Sequence, residues 1–485
     1  MNEWRLVWAG AGGTPAPHTT GVLANWRDLA ERERELGIRA GQPILIDPRG
    51  RSDPRLSKIF RHRDFARKAQ GTKETYAPDY RLFFTFLWQR GLGWDQAAAD
   101  DLEDWEDWRL RGEGNPHPIG GVKWARELAA LMLLYKIAVK LKYVSASPVV
   151  TRTVNTTDGA IEVAELAPKD VRSSNVKWLS PRGFRMWRDV GLGGLLPGGL
   201  EDARWPGRND GRDVAFADFT YSSGLRRREV GTLLLPELPA LESRRYYSGW
   251  MGKAVAKRAG RFYYVNHLAL QQAELYRIST RDSAIRRARN RGLYDRIEGR
   301  LLLREITPSR NVYWSDVNGR TYTAHIDNLT VEHRMRMFVI SESGLEPAML
   351  WLTESGIPMA YRSWTKVFER ASQRCARLGL KVYATPKMLR HSMALRVLVS
   401  LHHALDGRLG LTPTERKNYE ETYGTVWTMV KDLLGHRSEI TTREIYLEPV
   451  RGLQIESLLN DTDNPNNTDL FAELSRRTGL ILDVA

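Results

Sequence analysis

The stretch LLGHRSEITTREIYLEP, residues 433–449, decides how the rest of the chain is read. Leu433 and Leu434 close a helical segment, and Gly435 and His436 form the turn that follows. A run of small polar residues then leads to one tyrosine, Tyr446, between Ile445 and Leu447. A tyrosine among apolar neighbours is usually core. A histidine and a Thr-Thr pair just upstream raise the question of what its hydroxyl is for.

Bulk properties narrow the answer. A chain of 485 residues holds two or three domains, each large enough for its own core. Lys plus Arg number 73 against 58 Asp plus Glu, a formal net charge of +15. With 27% charged and 42% apolar residues the chain folds, and its excess charge calls for a polyanionic partner. No apolar run is long enough to span a bilayer, so nucleic acid is favoured over a membrane. The start, MNEWRLVWAGAGG, lacks the layout of a signal peptide, which points to a cytoplasmic, nucleoid-associated protein. A single cysteine, Cys375, excludes an internal disulfide framework and any Cys-based zinc site. GAGG at 10–13 is not followed by Lys-Ser or Lys-Thr, there is no HExxH, and His402 and His403 diverge on a helix. No cofactor and no metal is expected.

Composition divides the chain. Residues 1–66 read as an N-terminal extension and a candidate accessory DNA-binding element, with the basic run RGRSDPRLSKIFRHRDFARK at its end. Residues 67–149 read as a small all-helical domain. Within it, ETYAPDYRLFFTFLWQRG (74–91) puts Tyr76, Tyr80, Phe83, Phe84, Leu87 and Trp88 on one face, and Gly91 ends it. VKWARELAALMLLYKIAVKLKYV (122–144) is a long helix with lysines around an apolar stripe. Residues 150–178 are polar and read as an irregular linker. From 179 to 450 strand-like and helical segments alternate, with insertions at about 270–345 and 400–424. The first insertion carries the basic RDSAIRRARNRGLYDRIEGR and a hairpin, NVYWSDVNGRTYTAHI, with an Asn-Gly turn. Residues 451–485 form a C-terminal tail.

Four motifs follow one another in the second half. In DFTYSSGLRRREVGTLLLPEL (218–238), two helices meet at Ser223-Gly224, with Arg226 and Glu229 opening the second. RRYYSGWMGKAVAKRAGRFYYVNH (244–267) reads as a hairpin whose basic loop carries Lys253 and Lys257. In TPKMLRHSMALRVL (385–398) Pro386 opens a helix with Lys387 and Arg390 one turn apart. His436 and Tyr446 complete the set. In order and type these resemble the tyrosine recombinase (phage integrase) family, over roughly residues 70–450. GIPMAYRSWTKVFERASQR (356–374) is similar to the family's segment before its second arginine.

The resemblance implies a helical core-binding (SAM-like) domain ahead of a mixed α/β, mainly helical catalytic domain with a small antiparallel sheet. It implies six site residues: Arg226, Lys253, Lys387, Arg390, His436 and Tyr446. Lys387 stands where the family usually has histidine, and the spacing from His436 to Tyr446 is one residue longer than usual. It also implies double-stranded DNA as partner and a tetramer on two duplexes. The activity would be site-specific DNA recombination by an integrase or transposase of a mobile element. A type IB topoisomerase-like enzyme, or a catalytically silent DNA-binding protein of the same fold, are the alternatives.

The chemistry fits such a set. A phenol of ordinary pKa near 10 is a weak nucleophile until its phenolate is stabilised. Two arginines can clamp the non-bridging oxygens of a phosphodiester and stabilise the charge of its transition state. A lysine acid, Lys253 or else Lys257, would protonate the departing 5′ oxygen. Lys387 and His436 would contact the phosphate or assist proton transfer. His391, beside Arg390, reads as a packing or capping residue. Residues 461–485, with Leu470, Phe471, Leu474 and Leu480–Leu482, are apolar enough to dock either on a neighbouring protomer or on their own catalytic domain.

Overall fold

The computed structural model describes residues 3–9, 41–112, 114–156, 159–168, 176–256, 259–403, 413–436, 438–443 and 445–446. Lys257 and the whole of 451–485, including the apolar tail, lie outside the described residues. The chain divides into two compact units, 1–172 and 173–485.

The first unit begins with a small hairpin, β1 (Arg5–Trp8) against β2 (Pro43–Ile46), with Arg5 opposite Ile46. Helices α1 (Pro54–Arg61), α2 (Arg63–Ala66), α3 (Gln70–Gln89), α4 (Ala99–Leu110) and α5 (Gly121–Lys140) follow. Pro54 opens α1, and the Asp53 carboxylate accepts a hydrogen bond from Arg55 N at 2.8 Å, closing an N-terminal donor. The aromatic face of α3 is buried as its spacing requires: Tyr80, Phe83, Phe84 and Leu87 pack with Trp105, Trp124 and Tyr135. Buried hydroxyls are satisfied on backbone carbonyls, Tyr80 on Ala130 at 3.0 Å and Tyr135 on Trp94 at 2.7 Å.

Two boundaries differ from the sequence reading. Residues 3–9 and 41–66 are not an appended extension, because Trp4, Leu45, Leu56, Ile59, Phe60 and Phe65 belong to the same core as α3–α5. Trp4 meets Phe84 edge-on at 5.2 Å, and its backbone N donates to Thr85 Oγ1 at 3.1 Å. Apolar residues spaced irregularly through a basic run hide this docking from a periodicity scan. The stretch read as an irregular linker contains a hairpin, β3 (Thr151–Thr156) against β4 (Gly159–Ala164). Its β-branched residues favour the pleated backbone over coil.

The second unit opens with α6 (Pro181–Met186), continued as a π-helical turn through Leu192, and then α7 (Asp210–Ser223) and the short α8 (Arg227–Val230). Next come the hairpin β5 (Tyr246–Met251) and β6 (Arg261–Asn266), then α9 (His267–Tyr276) and α10 (Asp282–Asn290). The insertion builds a five-stranded sheet from β7 (Leu301–Ile306), β8 (Asn311–Asp316), β9 (Thr321–His325), β10 (Met337–Ser341) and β11 (Gly344–Pro347), with α11 (Val331–Met335) between β9 and β10. Its order is β11-β10-β7-β8-β9. The expected hairpin with the Asn318-Gly319 turn is β8–β9, but the sheet is larger than the small antiparallel one expected. It is also mixed, since β10 runs parallel to β7. The connection through α11 carries the chain back across the sheet, which a parallel neighbour requires. Arg334 of α11, fully buried, ties this insertion to the core. Its Nη2 lies 2.7 Å from Glu237 Oε1 and its Nη1 3.1 Å from the Thr232 carbonyl.

Helices α12 (Trp364–Arg377), α13 (Pro386–His403), α14 (Pro413–Tyr423) and α15 (Val426–Leu434) follow, and a last described helical stretch, 439–443 and 445–446, carries Tyr446. The core gathers Trp187, Phe216, Trp351, Trp364 and Phe368 around α7 and α12. A separate cluster joins Leu395, Leu398, Trp427, Val430 and Leu434 to Tyr446. Among the described residues no helix is long and apolar enough to cross a membrane.

Candidate active site

Two glycines shape the site. Gly224 ends α7 in the left-handed region, φ 62°, and a Cβ there would lie 2.9 Å from Met393 Cε. The chain turns there and delivers Arg226 to the start of α8. Gly435 ends α15 at φ 62°, and a Cβ there would lie 3.0 Å from Arg261 Cδ. The last carbonyls of α15 have no partner within the helix and carry the negative end of its dipole. Three arginines from three different elements take them. Arg261 Nε of β6 donates to Leu433 O at 3.3 Å, Arg226 Nη2 to Gly435 O at 3.4 Å, and Arg390 Nη2 of α13 to Leu434 O. Arg390 Nη1 also donates to Gly224 O at 2.6 Å, so one guanidinium joins both glycine turns.

Glu229 compensates this charge. Fully buried, it accepts from Arg261 Nη1 at 2.9 Å and Nη2 at 2.7 Å, from Arg226 Nη1 at 2.9 Å and from Arg226 N at 2.7 Å. Burial alone would raise its pKa. The Arg261 hydrogen bonds and the charges of Arg261, Arg390 and Arg226 outweigh it and hold the carboxyl at about 2. Arg390 is 6% exposed, and burial together with the Arg226 charge pushes it down to about 9, so it stays cationic at neutral pH.

Tyr446, in the last described helical stretch, is fully buried and packs in the cluster of Leu395, Leu398 and Leu434. Burial raises its pKa, and the Arg390 and Arg226 charges only partly oppose it. His391 Nδ1 lies 2.7 Å from Tyr446 Oη. Burial, with the charges of Lys387, Arg390 and His436, pushes His391 down to about 3, so its imidazole is neutral. The His436 ring stands parallel to the Tyr446 ring, centroids 6.4 Å apart and planes at 7°. Its Nδ1 is 3.0 Å from Oγ1 of the buried Thr442. The second threonine of the Thr-Thr pair therefore orients the histidine.

Of the six residues singled out from the sequence, Arg226, Arg390, His436 and Tyr446 converge. Lys253 does not join them: it is exposed in the turn after β5, held there by its backbone N on Asp327 Oδ1 at 3.1 Å. Among the described residues its side chain makes no hydrogen bond or ion pair. Lys387 is also exposed, and it acts on the site through its charge on His391, one turn along α13. Three participants were not among the six, and His391 reads from sequence as a packing or capping residue. Glu229 was visible in the Arg-x-x-Glu spacing and His391 in the Arg-His pair. Arg261 carries no local signal: it stands opposite Met251 at the end of the β5–β6 hairpin and meets Glu229 across 32 positions of sequence. Among the described residues no group of three or more His, Cys, Asp or Glu side chains could hold a metal ion.

No family model matches the chain, and no curated protein is significantly similar to it. Solved structures it resembles are site-specific recombinases and integrases. The XerH site-specific recombinase bound to palindromic difH substrate, in a post-cleavage complex, is 12% identical with a TM-score of 0.44, covering 81% of each chain. A lambda integrase dimer bound to a COC′ core site is 12% identical with a TM-score of 0.38, covering 87% of this chain and 88% of that one. The XerA recombinase is 12% identical with a TM-score of 0.30, covering 85% of this chain and all of that one. The chemical reading rests on the side-chain geometry above.

Proposed function

We propose that this chain is a site-specific DNA recombinase, the integrase or transposase of a mobile element, which cuts and rejoins duplex DNA through a 3′-phosphotyrosine. The observation that carries the reading is the gathering of Arg226 and Arg390 on the end of α15, with His436 just beyond it lying ring to ring with Tyr446 and both arginine charges acting on its phenol. Two groups cationic at neutral pH, acting on a phenol, answer one problem in particular, attack on an anionic phosphodiester. The arginines would hold the non-bridging oxygens while Oη attacks phosphorus and the 5′ oxygen leaves. Joining to Tyr446 conserves the energy of the broken bond, so the reaction needs no ATP to reseal the strand. The net charge of +15 suits a protein that neutralises many backbone phosphates. Four protomers on two duplexes would complete strand exchange.

Lys253 is proposed as the acid for the leaving oxygen. Exposed on a hairpin turn, it would reach the phosphate only once DNA lies against β5–β6. The test is a nicked suicide duplex, taken from sequences the protein selects out of a random pool. Wild type is expected to form a covalent adduct insensitive to chelator, and Tyr446→Phe none, with DNA affinity nearly unchanged. An adduct that persists in Tyr446→Phe, or no adduct in the wild type, sinks the reading. Replacing the 5′ bridging oxygen by sulfur should restore cleavage to Lys253→Ala, because a thiolate leaves without a proton. If Lys257→Ala is rescued instead, the acid is Lys257.

A further inference from the structure

We propose that His391 is the catalytic base of this site, accepting the Tyr446 hydroxyl proton on Nδ1 as Oη attacks phosphorus; the inference rests on the recombinase reading above. The 2.7 Å separation is hydrogen-bonding distance for a phenol and an imidazole nitrogen. The two residues are brought together across 55 positions of sequence by the docking of the last helical stretch on α13. Both are buried, His391 at 8% exposure and Tyr446 at 0%, so water does not compete for the proton. Of the two histidines at the tyrosine, His436 has Nδ1 engaged by Thr442 and lies ring to ring with Tyr446, an orienting position.

The step balances. The O–H pair of Tyr446 becomes the new Oη–P bond and the proton passes to His391 Nδ1. The P–O5′ bond breaks and its pair leaves on the 5′ oxygen, which is protonated by the acid. On rejoining, the 5′ hydroxyl attacks phosphorus, and the departing phenolate takes its proton back from His391.

Charge makes this base conditional. The groups that face His391 are Lys387 and Arg390 on its own helix, His436 after α15, and Tyr446. Arg226, Glu229 and Arg261 complete the surroundings of Arg390. Without DNA, burial and these cations hold His391 neutral and weakly basic. A phosphodiester seated on Arg226 and Arg390 brings a negative charge that offsets their field and raises His391 from about 3. The base is thus strengthened by the substrate it serves.

Two measurements decide it. In the free wild-type protein, nitrogen NMR of selectively labelled histidine, with His391 assigned by its loss in His391→Asn, reads the tautomer. The proton is expected on Nε2 with Nδ1 accepting, and a proton on Nδ1 overturns the proposal without any DNA present. In single-turnover cleavage of the nicked duplex, His391→Asn keeps an acceptor but cannot take a proton. It should cleave roughly 100-fold more slowly, bind DNA as wild type does, and lose the acid limb of the wild-type pH–rate profile. Imidazole added to His391→Gly should restore part of the rate. A variant that cleaves within about threefold of wild type with an unchanged pH profile overturns the assignment. Absence of any adduct from wild type, by contrast, removes the recombinase reading itself and the base with it.

Discussion

Asp79 in the first unit and Glu229 in the second are both buried carboxylates beside arginine, and they behave in opposite ways. Asp79 is 4% exposed; burial, with Glu127 nearby, lifts it to about 6 although Arg126 Nη2 donates to Oδ1 at 2.8 Å. Its Oδ2 is buried without a hydrogen-bond partner. Glu229 is no less buried, yet it sits at about 2 because both its oxygens are filled, by two guanidinium groups and a backbone N–H. Burial disfavours the charge in both, and the number of donors decides which protonation state survives. One unit tolerates an imperfect pair. The other keeps a charge where charge positions three arginines.

The sharpest way to break this contrast is Glu229→Ala. It leaves Arg226, Arg261 and Arg390 mutually repelling around a void, and a cost of about 3–5 kcal/mol is expected for a buried pair broken on one side. Urea midpoints of the second unit, read by hydrogen exchange over α7 and α13, should fall accordingly, and adduct formation should be lost with them. Because the Glu229 pKa is depressed, its contribution is complete above about 4.5 and disappears only as pH falls toward 2. A variant as stable as wild type at neutral pH would show that Glu229 does not hold the cluster.

Asp79→Asn should act in the other direction and by less. The folded protein holds the Asp79 proton more tightly than the unfolded chain, so stability falls as pH rises from about 4 to about 6 and is flat above. Asn keeps an acceptor for Arg126 and removes the ionisation. The first unit should therefore gain about 1–3 kcal/mol at pH 7, gain nothing near pH 4, and lose that slope. Hydrogen exchange over α3 and α5 across this range checks it, and an unchanged slope would assign the titration to another group.

The smallest effect belongs to an exposed pair. Arg90 and Asp104 meet at 2.7 Å with side chains 41% and 55% exposed. Arg90→Ala should change the stability of the first unit by less than about 1 kcal/mol, and salt should erase the difference. A larger loss would mean that the packing of Arg90 on the Phe86 ring, 4.5 Å from its centroid, outweighs the charge.

How much of this was legible beforehand depends on the range over which each signal acts. Helices α3, α5 and α13, the turns at Gly224 and Gly435, and the hairpins β5–β6 and β8–β9 follow from periodicity, glycine placement and turn residues, all of which act within a few positions. Four of the six residues picked from sequence meet for the same reason: each sits at a fixed offset from a helix end. Lys253 and Lys387 are exposed, and among the described residues neither long side chain has a hydrogen-bond or ion-pair partner to draw it inward. The N-terminal strand, the parallel pairing of β10 with β7 and the boundary near 172 depend on which apolar surfaces find each other.

By itself the sequence determined which residues stand at which helix ends, the strong positive charge, and a lone tyrosine placed after a Gly-His turn. Only the tertiary structure decided that Arg261, Arg226 and Arg390 would share three successive carbonyls of one helix end, and that His391 would face Tyr446. Those contacts join residues 44 to 209 positions apart. Their energy comes from desolvated charge and hydrogen bonding, which exist only once the core has excluded water.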